Sequence, residues 1–288
     1  MRLPRFWAKE SRTGKDIRGK VWTCSAWGWS FESLSEARQS AAERASRMLE
    51  RLSSGTRPER YDYLETPLRE EIIETLGSEK EPVAVVTRNR YGALVLNAAR
   101  VCFVDIDFPE RKPAGLLNSL AELFSKERRE AQARAQQEAA LKAVDAWAQK
   151  NGRASFRVYL TRAGLRLLFT DKLYDPAAGE TEDLFHSLGS DPLYRKLTQK
   201  QECFRARLSP KPWRIGCPNP PSRYPWQDSR AEQLYRDWLR GYESKSSGVA
   251  VCRLVKEYGR ASSSEAAIRL VVSRHDRCVA DNPTTSLV

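Results

Sequence analysis

Val101-Cys102-Phe103-Val104-Asp105-Ile106-Asp107-Phe108-Pro109 is the stretch on which the fold turns. Its β-branched and aromatic residues predict a buried strand, interrupted by two aspartates near its end. Side chains alternate along a strand, so Asp105 and Asp107 share one face while Ile106 points to the other. Neighbouring carboxylates at the end of an apolar strand repel each other and resist burial, and a divalent cation relieves both costs. All-oxygen ligands suit Mg²⁺ or Mn²⁺ rather than zinc. The simpler reading is that both aspartates end the strand in solvent, with Pro109 as the stop.

Hairpins flank this strand. Val83–Arg88 and Ala93–Asn97 read as strands joined by Asn89-Arg90-Tyr91-Gly92, a favourable turn. Arg88 and Arg90 there either meet phosphate or are solvated turn residues. A second hairpin pairs Phe156–Thr161 with Leu165–Thr170 across Arg162-Ala163-Gly164, where Gly164 is expected to supply a positive φ. Cys203–Leu208 reads as a further strand with Arg205 and Arg207 on one face, running into Ser209-Pro210-Lys211-Pro212-Trp213-Arg214.

Farther out, residues 5–10 and 20–30 predict two strands and Glu36–Leu52 a helix, a small ββα unit. Trp27 and Trp29 share a strand face; they either stack on bases or, the expectation preferred here, pack beneath the helix. Pro67 is expected to start a helix through Leu76, with Leu68, Ile72, Ile73 and Leu76 inward. Residues 113–150 predict one long helix or two, whose Lys126–Gln137 segment is polar all round and has little to bury. Shorter helices are expected at 180–188, 192–201, 230–242 and 264–274, a strand at 249–255, and a disordered tail at 282–288. The fold class is therefore α+β, and the organisation is a ββα unit at 1–55, a core at 56–227, a helical extension at 228–281 and the tail.

The 288 residues carry 49 Lys+Arg against 37 Asp+Glu, a net charge of +12. Arginine exceeds lysine; either its planar fork, which favours phosphate, serves a polyanionic partner, or the arginine excess is what GC-rich coding produces. No run approaches the roughly 18 apolar residues of a membrane span, and Met1–Trp7 lacks the apolar stretch of a secretory signal, so a cytoplasmic protein without membrane contact is expected. Six cysteines are scattered without a CxxC pair, which argues against a zinc ribbon or a disulfide framework. His275-Asp276 matches the dyad of metal-dependent phosphohydrolases, but the further histidines of that chemistry are missing. No glycine lies in a Walker or GxGxxG pattern.

Three stretches together resemble the catalytic palm of archaeo-eukaryotic-type primases and primase-polymerases. Phe103–Phe108 is similar to that family's metal-holding hhhDhDh strand. Tyr159–Phe169 is similar to its phosphate-handling strand-turn-strand, and Arg205–Pro212 loosely matches its later basic segment. The resemblance covers about residues 83–215. It implies an RRM-like, primase-like palm with a mixed or antiparallel sheet and flanking helices, binding nucleic acid and nucleoside triphosphate. It also implies metal-dependent nucleotidyl or phosphoryl transfer, with Asp105 and Asp107 as the catalytic, Mg²⁺- or Mn²⁺-binding pair. Arg166 occupies the family's histidine position and, with Arg205, Arg207 and Lys211, would hold phosphate. Arg88, Arg90, Tyr159 and Trp213 would meet nucleic acid. The family's third carboxylate has no counterpart in Cys203–Trp213; Asp171 and Asp175 are the nearest substitutes. If the second hairpin lies beside the aspartate strand, Arg166 either pairs with one of its carboxylates or faces solvent across an exposed sheet surface.

Two other readings use the same residues. One is a nucleic-acid-binding module without chemistry, with arginines on phosphates and aromatics on bases. The other is a structural or replication-accessory protein working through the Lys126–Gln137 helix.

Overall fold

The computed structural model of the chain describes residues 1, 3–54, 67–109, 126–259, 263–280 and 285–288, residues 126–130 by backbone only. The fold is α+β, with ten strands and six α-helices among the described residues. At the N-terminus β1 (Phe6–Lys15) and β2 (Val21–Ser30) form an antiparallel hairpin under α1 (Leu34–Ser53). Ser33 caps α1, its hydroxyl accepting from the Glu36 amide at 3.2 Å. The helix lies on the Ala26/Gly28 face of the hairpin, so close that a Cβ on Gly28 would stand 2.1 Å from the Ala41 nitrogen. Trp27 and Trp29 therefore occupy the opposite face, not the expected place beneath the helix. Arg69 stacks 4.7 Å from the Trp27 ring, and Arg44 reaches from α1 to within 4.5 Å of the Trp29 ring.

Two four-stranded antiparallel sheets make up the body. One runs β3 (Glu71–Gly77), β4 (Pro82–Arg88), β5 (Leu94–Ala98) and β9 (Phe204–Arg207). The other runs β10 (Cys252–Tyr258), β7 (Phe156–Thr161), β8 (Gly164–Phe169) and β6 (Phe103–Asp107). The segment after Pro67 is thus an extended edge strand and not the expected helix. Leu68, Ile72, Ile73 and Leu76 satisfy a helical period, but pairing Ile72 with Thr87 and Leu76 with Ala84 on β4 captures the backbone instead. The second hairpin also departs from expectation at Gly164, which is not among the positive-φ glycines. Glycine is required there by crowding, since a Cβ would come 2.1 Å from the Ile106 carbonyl oxygen on β6.

A single apolar core joins both sheets: Leu76, Val86 and Leu96 from one, Phe103, Val158, Leu167 and Phe169 from the other. One side is closed by α2 (Lys126–Lys150), through Val144, Leu141 and Trp147, and by α3 (Gly179–Ser187), through Phe185. Residues 113–125 of the expected long helix lie outside the described residues; at 131–135 the helix is exposed, as its polar sequence requires. On the aspartate face of the second sheet lies α6 (Ala266–Asp276), which follows α5 (Ser229–Ser246) in the chain. His275 sits on Phe103 and Tyr159, and Asp276 accepts from the Tyr159 hydroxyl at 2.8 Å and from Arg157 at 2.5 Å. Arg274 on the same helix bonds Glu74 of β3 at 2.6 Å, so α6 straps the two sheets together. Beyond it, residues 285–288 are placed by a bridge between Leu287 and Ala250, while 282–284 of the expected disordered tail lie outside the described residues.

The sheets meet where β6 and β9 run side by side without strand pairing. Tyr194, on α4 (Pro192–Gln201), fills the gap. Its hydroxyl lies 3.1 Å from the Phe103 carbonyl and 3.3 Å from that of Arg205, and accepts from the Arg205 amide at 3.3 Å. The next free carbonyl of β6, at Asp105, takes the Ser190 hydroxyl at 3.0 Å and the Asp191 amide at 3.3 Å. An edge that would otherwise template further strands is thereby closed.

Candidate functional site

The candidate site lies at this seam, where β6 delivers Asp105 and Asp107 to one face. In the β6–β8 register Asp105 stands opposite Arg166 and Asp107 opposite Gly164. Arg166 donates from Nε to Asp105 Oδ1 at 3.0 Å and from Nη1 across the seam to the Arg207 carbonyl at 3.0 Å. Burial alone would pull its guanidinium down, but Asp105 more than offsets this, and the group is held firmly charged. Of the two readings of Arg166, pairing with a carboxylate of the aspartate strand is the one present.

Asp107 is different. It makes no hydrogen bond or ion pair with any described residue. Lost hydration, then the negative charges of Asp105 and Asp191, push its carboxyl above the ordinary range, while Lys211 and Arg207 pull the other way. Facing it is a set of cations that form no salt bridge with any described residue. Burial and the neighbouring Arg166 and Arg214 bring Arg207 down to about 10. Burial, Arg207 and Arg214 lower Lys211. Burial and Arg162 lower Arg214. None of Arg207, Lys211 and Arg214 has a salt bridge or side-chain hydrogen bond to a described residue; Lys211 rests 5.4 Å from the Trp213 ring. Half-buried, mutually repelling cations are costly unless something negative joins them.

The loop after β9 builds this cluster. Pro210 and Pro212 stiffen the chain, and a 3₁₀ turn at Pro212–Ile215 turns Lys211 and Arg214 back towards β6. Alongside, Tyr91 meets Trp213 edge-on at 5.1 Å and carries Arg90 4.5 Å from its ring, with half of Trp213 exposed.

Of the expected site residues, Asp105, Asp107, Arg166, Arg207 and Lys211 converge, and Arg90 and Trp213 stand beside them on the surface. Three do not join them. Arg205 shares its strand face with Arg207 but is bound by buried Glu70, at 2.8 and 3.0 Å, and Glu70 also accepts from Thr87. Arg88 is buried, donating to the Gly92 carbonyl at 3.0 Å and paired with Glu243. Tyr159 is buried beneath α6 with its hydroxyl on Asp276. Asp171 and Asp175 do not supply a third carboxylate: Asp171 accepts from Tyr174 at 3.0 Å and Asp175 from the Ala177 amide at 2.9 Å. Asp191 stands near Asp107 instead; it caps α4, accepting from the Tyr194 amide at 2.7 Å. Asp191, Arg162 and Arg214 were missed from sequence. Arg214 alone had a signal, its place in the basic proline-bounded stretch.

Among the described residues no three Asp, Glu, His or Cys side chains are placed to enclose a metal ion. Lost hydration first, and the charges of Asp105 and Asp191 second, disfavour the Asp107 carboxylate. Two carboxylates suit Mg²⁺ that completes its shell with water and a ligand's phosphate oxygens rather than an all-protein cage. No helix among the described residues is long and apolar enough to cross a membrane. No protein-family model matches the chain, and none of the curated proteins or solved structures compared with it matches either.

Proposed function

We propose that the seam is a nucleotide and nucleic-acid site that carries out primase-polymerase-type nucleotidyl or phosphoryl transfer on an RRM-like palm. The observation that carries this reading is Arg207, Lys211 and Arg214 clustered beside Asp105 and Asp107 with no salt bridge to any described residue. Triphosphate oxygens would neutralise the cations, and charge developing on the transferred phosphoryl group would fall among fixed positive groups. Asp107, with Asp105 behind it, would hold Mg²⁺ or Mn²⁺, which when bound supplies charge neutralisation for the phosphates. Arg166 orients Asp105 through the Nε–Oδ1 hydrogen bond. Arg90, Tyr91 and Trp213 offer a cationic and aromatic surface for an unpaired strand.

Calorimetric titration with a nucleoside triphosphate tests the binding. Arg207→Ala/Lys211→Ala should weaken it about tenfold or more, since a charge-assisted hydrogen bond contributes about 1.5–3 kcal/mol. Unchanged affinity would remove the cluster from the site. Because Arg166 already engages Asp105, a non-catalytic binding module is the second reading. Nucleotide incorporation that needs Mn²⁺ and disappears in Asp107→Asn supports the enzyme; triphosphate and strand binding without incorporation supports the module.

A further inference from the structure

The N-terminal hairpin has two faces of opposite character. Its inner face lies on α1 through Ala8, Cys24, Ala26 and Gly28, all buried. Its outer face lacks acidic residues altogether, because Glu10 sits on the inner-face side of the register opposite Ala26. Over the distal half, Lys9, Ser11, Thr13 and Lys15 of β1 and Thr23 and Ser25 of β2 are all exposed. The hydroxyls form cross-strand pairs, Ser11 with Ser25 at 2.7 Å and Thr13 with Thr23 at 3.0 Å. One O–H of each pair is used in this contact, so each pair still presents a donor and free lone pairs outward. Lys9 and Lys15 have no hydrogen bond or ion pair from their side chains to any described residue. The turn's carboxylate, Asp16, is turned inward onto the Arg18 and Lys20 amides and the Trp22 indole, at 2.8–2.9 Å.

We infer that this ribbon is a duplex-DNA-binding element, entering the major groove with its hydroxyl-bearing outer face. Two strands about 4.8 Å apart fit a groove about 12 Å wide. Ser and Thr hydroxyls, able to donate and accept, meet base edges, and lysines at both ends of the row meet phosphates. The deep, narrow major groove of duplex RNA would not admit the ribbon. The inference does not rest on the reading of the seam, since the ribbon shares no residue with it.

The test is fluorescence anisotropy of the full chain with short duplex DNA and with the corresponding single strand, across a salt series. Lys9→Gln/Lys15→Gln should lower duplex affinity about tenfold or more at low salt. It should also reduce the slope of log affinity against log salt by about 1.8, two phosphates at about 0.9 each. Ser11→Ala/Thr13→Ala/Thr23→Ala/Ser25→Ala should flatten discrimination between duplex sequences while leaving more of the salt slope intact. Lys142→Gln/Lys150→Gln, which removes two exposed lysines of α2 outside both the ribbon and the seam, should leave duplex binding unchanged. All substituted ribbon side chains are exposed, and an unchanged far-UV spectrum confirms folding. Duplex affinity equal in wild type and Lys9→Gln/Lys15→Gln would overturn the inference. So would equal losses for duplex and single strand, or binding lost only with Ile17→Ser/Val21→Ser, which would mark an apolar partner at the ribbon tip.

Discussion

Asp105 and Asp107 are two positions apart on one strand face and have opposite duties. Asp105 neutralises Arg166, which is 5% exposed and has the Arg207 carbonyl as its other acceptor. Removing the charge of Asp105 leaves a buried guanidinium under-compensated, so Asp105→Asn should lose about 2–3 kcal/mol in denaturant unfolding. A loss below about 0.5 kcal/mol would mean the ion pair is dispensable. Asp107 carries no such duty. Its raised pKa means that ionisation is disfavoured in the folded chain; its contribution to stability is greatest below the ordinary aspartate value and is lost as pH climbs through the raised one. Asp107→Asn should therefore be neutral or stabilising near pH 7. The same proton controls anion binding: acidification removes a negative charge beside Arg207 and Lys211. Sulfate, whose charge is constant over this range, should bind more tightly as pH falls in the wild type and show little pH dependence in Asp107→Asn. Parallel pH profiles in the two proteins would show that Asp107 does not face the cations.

At the scale of elements, the close contacts are what hold the site's geometry. Gly164 lets β8 pass the Ile106 carbonyl, and any Cβ forces β6 and β8 apart where Asp107 is presented. Gly164→Ala should cost about 2 kcal/mol or more, in the range of strain at constrained backbone positions, and should weaken triphosphate binding at temperatures where the chain remains folded. Tyr194 tests the seam in the same way. Tyr194→Phe leaves the Phe103 and Arg205 carbonyls and the Arg205 amide without their shared hydroxyl, at a cost of about 1–3 kcal/mol. A Tyr194→Phe protein as stable as wild type would show that water replaces the hydroxyl. Glu71–Gly77 has apolar residues that fit either period, and the decision came from β4, whose open edge offered backbone partners a lone helix would not have.

Across the whole molecule one core spans both sheets; Cys102 and Cys252 are part of it and Cys278 packs against it. Cys24, Cys102, Cys203, Cys217 and Cys252 are buried and Cys278 half-buried, all as free thiols. Burial pushes the Cys203 and Cys252 thiols up to about 11 and raises Cys102 well above its ordinary value. Cys252 near His275 and Asp276 is accordingly a packed thiol and not a nucleophile. Thiol reagents near pH 8 should label the native chain slowly, with Cys278 first, and label the denatured chain rapidly; rapid native labelling of Cys252 would contradict this account.

Local chemistry by itself determined the α+β class, the β4–β5 and β7–β8 hairpins, the aspartate strand and the shared face of Asp105 and Asp107. Alternation along a strand and turn residues act over a few positions, and the sequence displays them directly. The fates of the arginines were decided only by tertiary structure. Arg205 and Arg207 are equivalent in the strand pattern, yet Glu70, 135 positions from Arg205, neutralises that residue and leaves Arg207 at the seam. Arg88 was taken by Glu243, 155 positions away, and Tyr159 by Asp276. Charge pairing depends on which chain segments fold against one another, and no spacing within a strand records the distant partner.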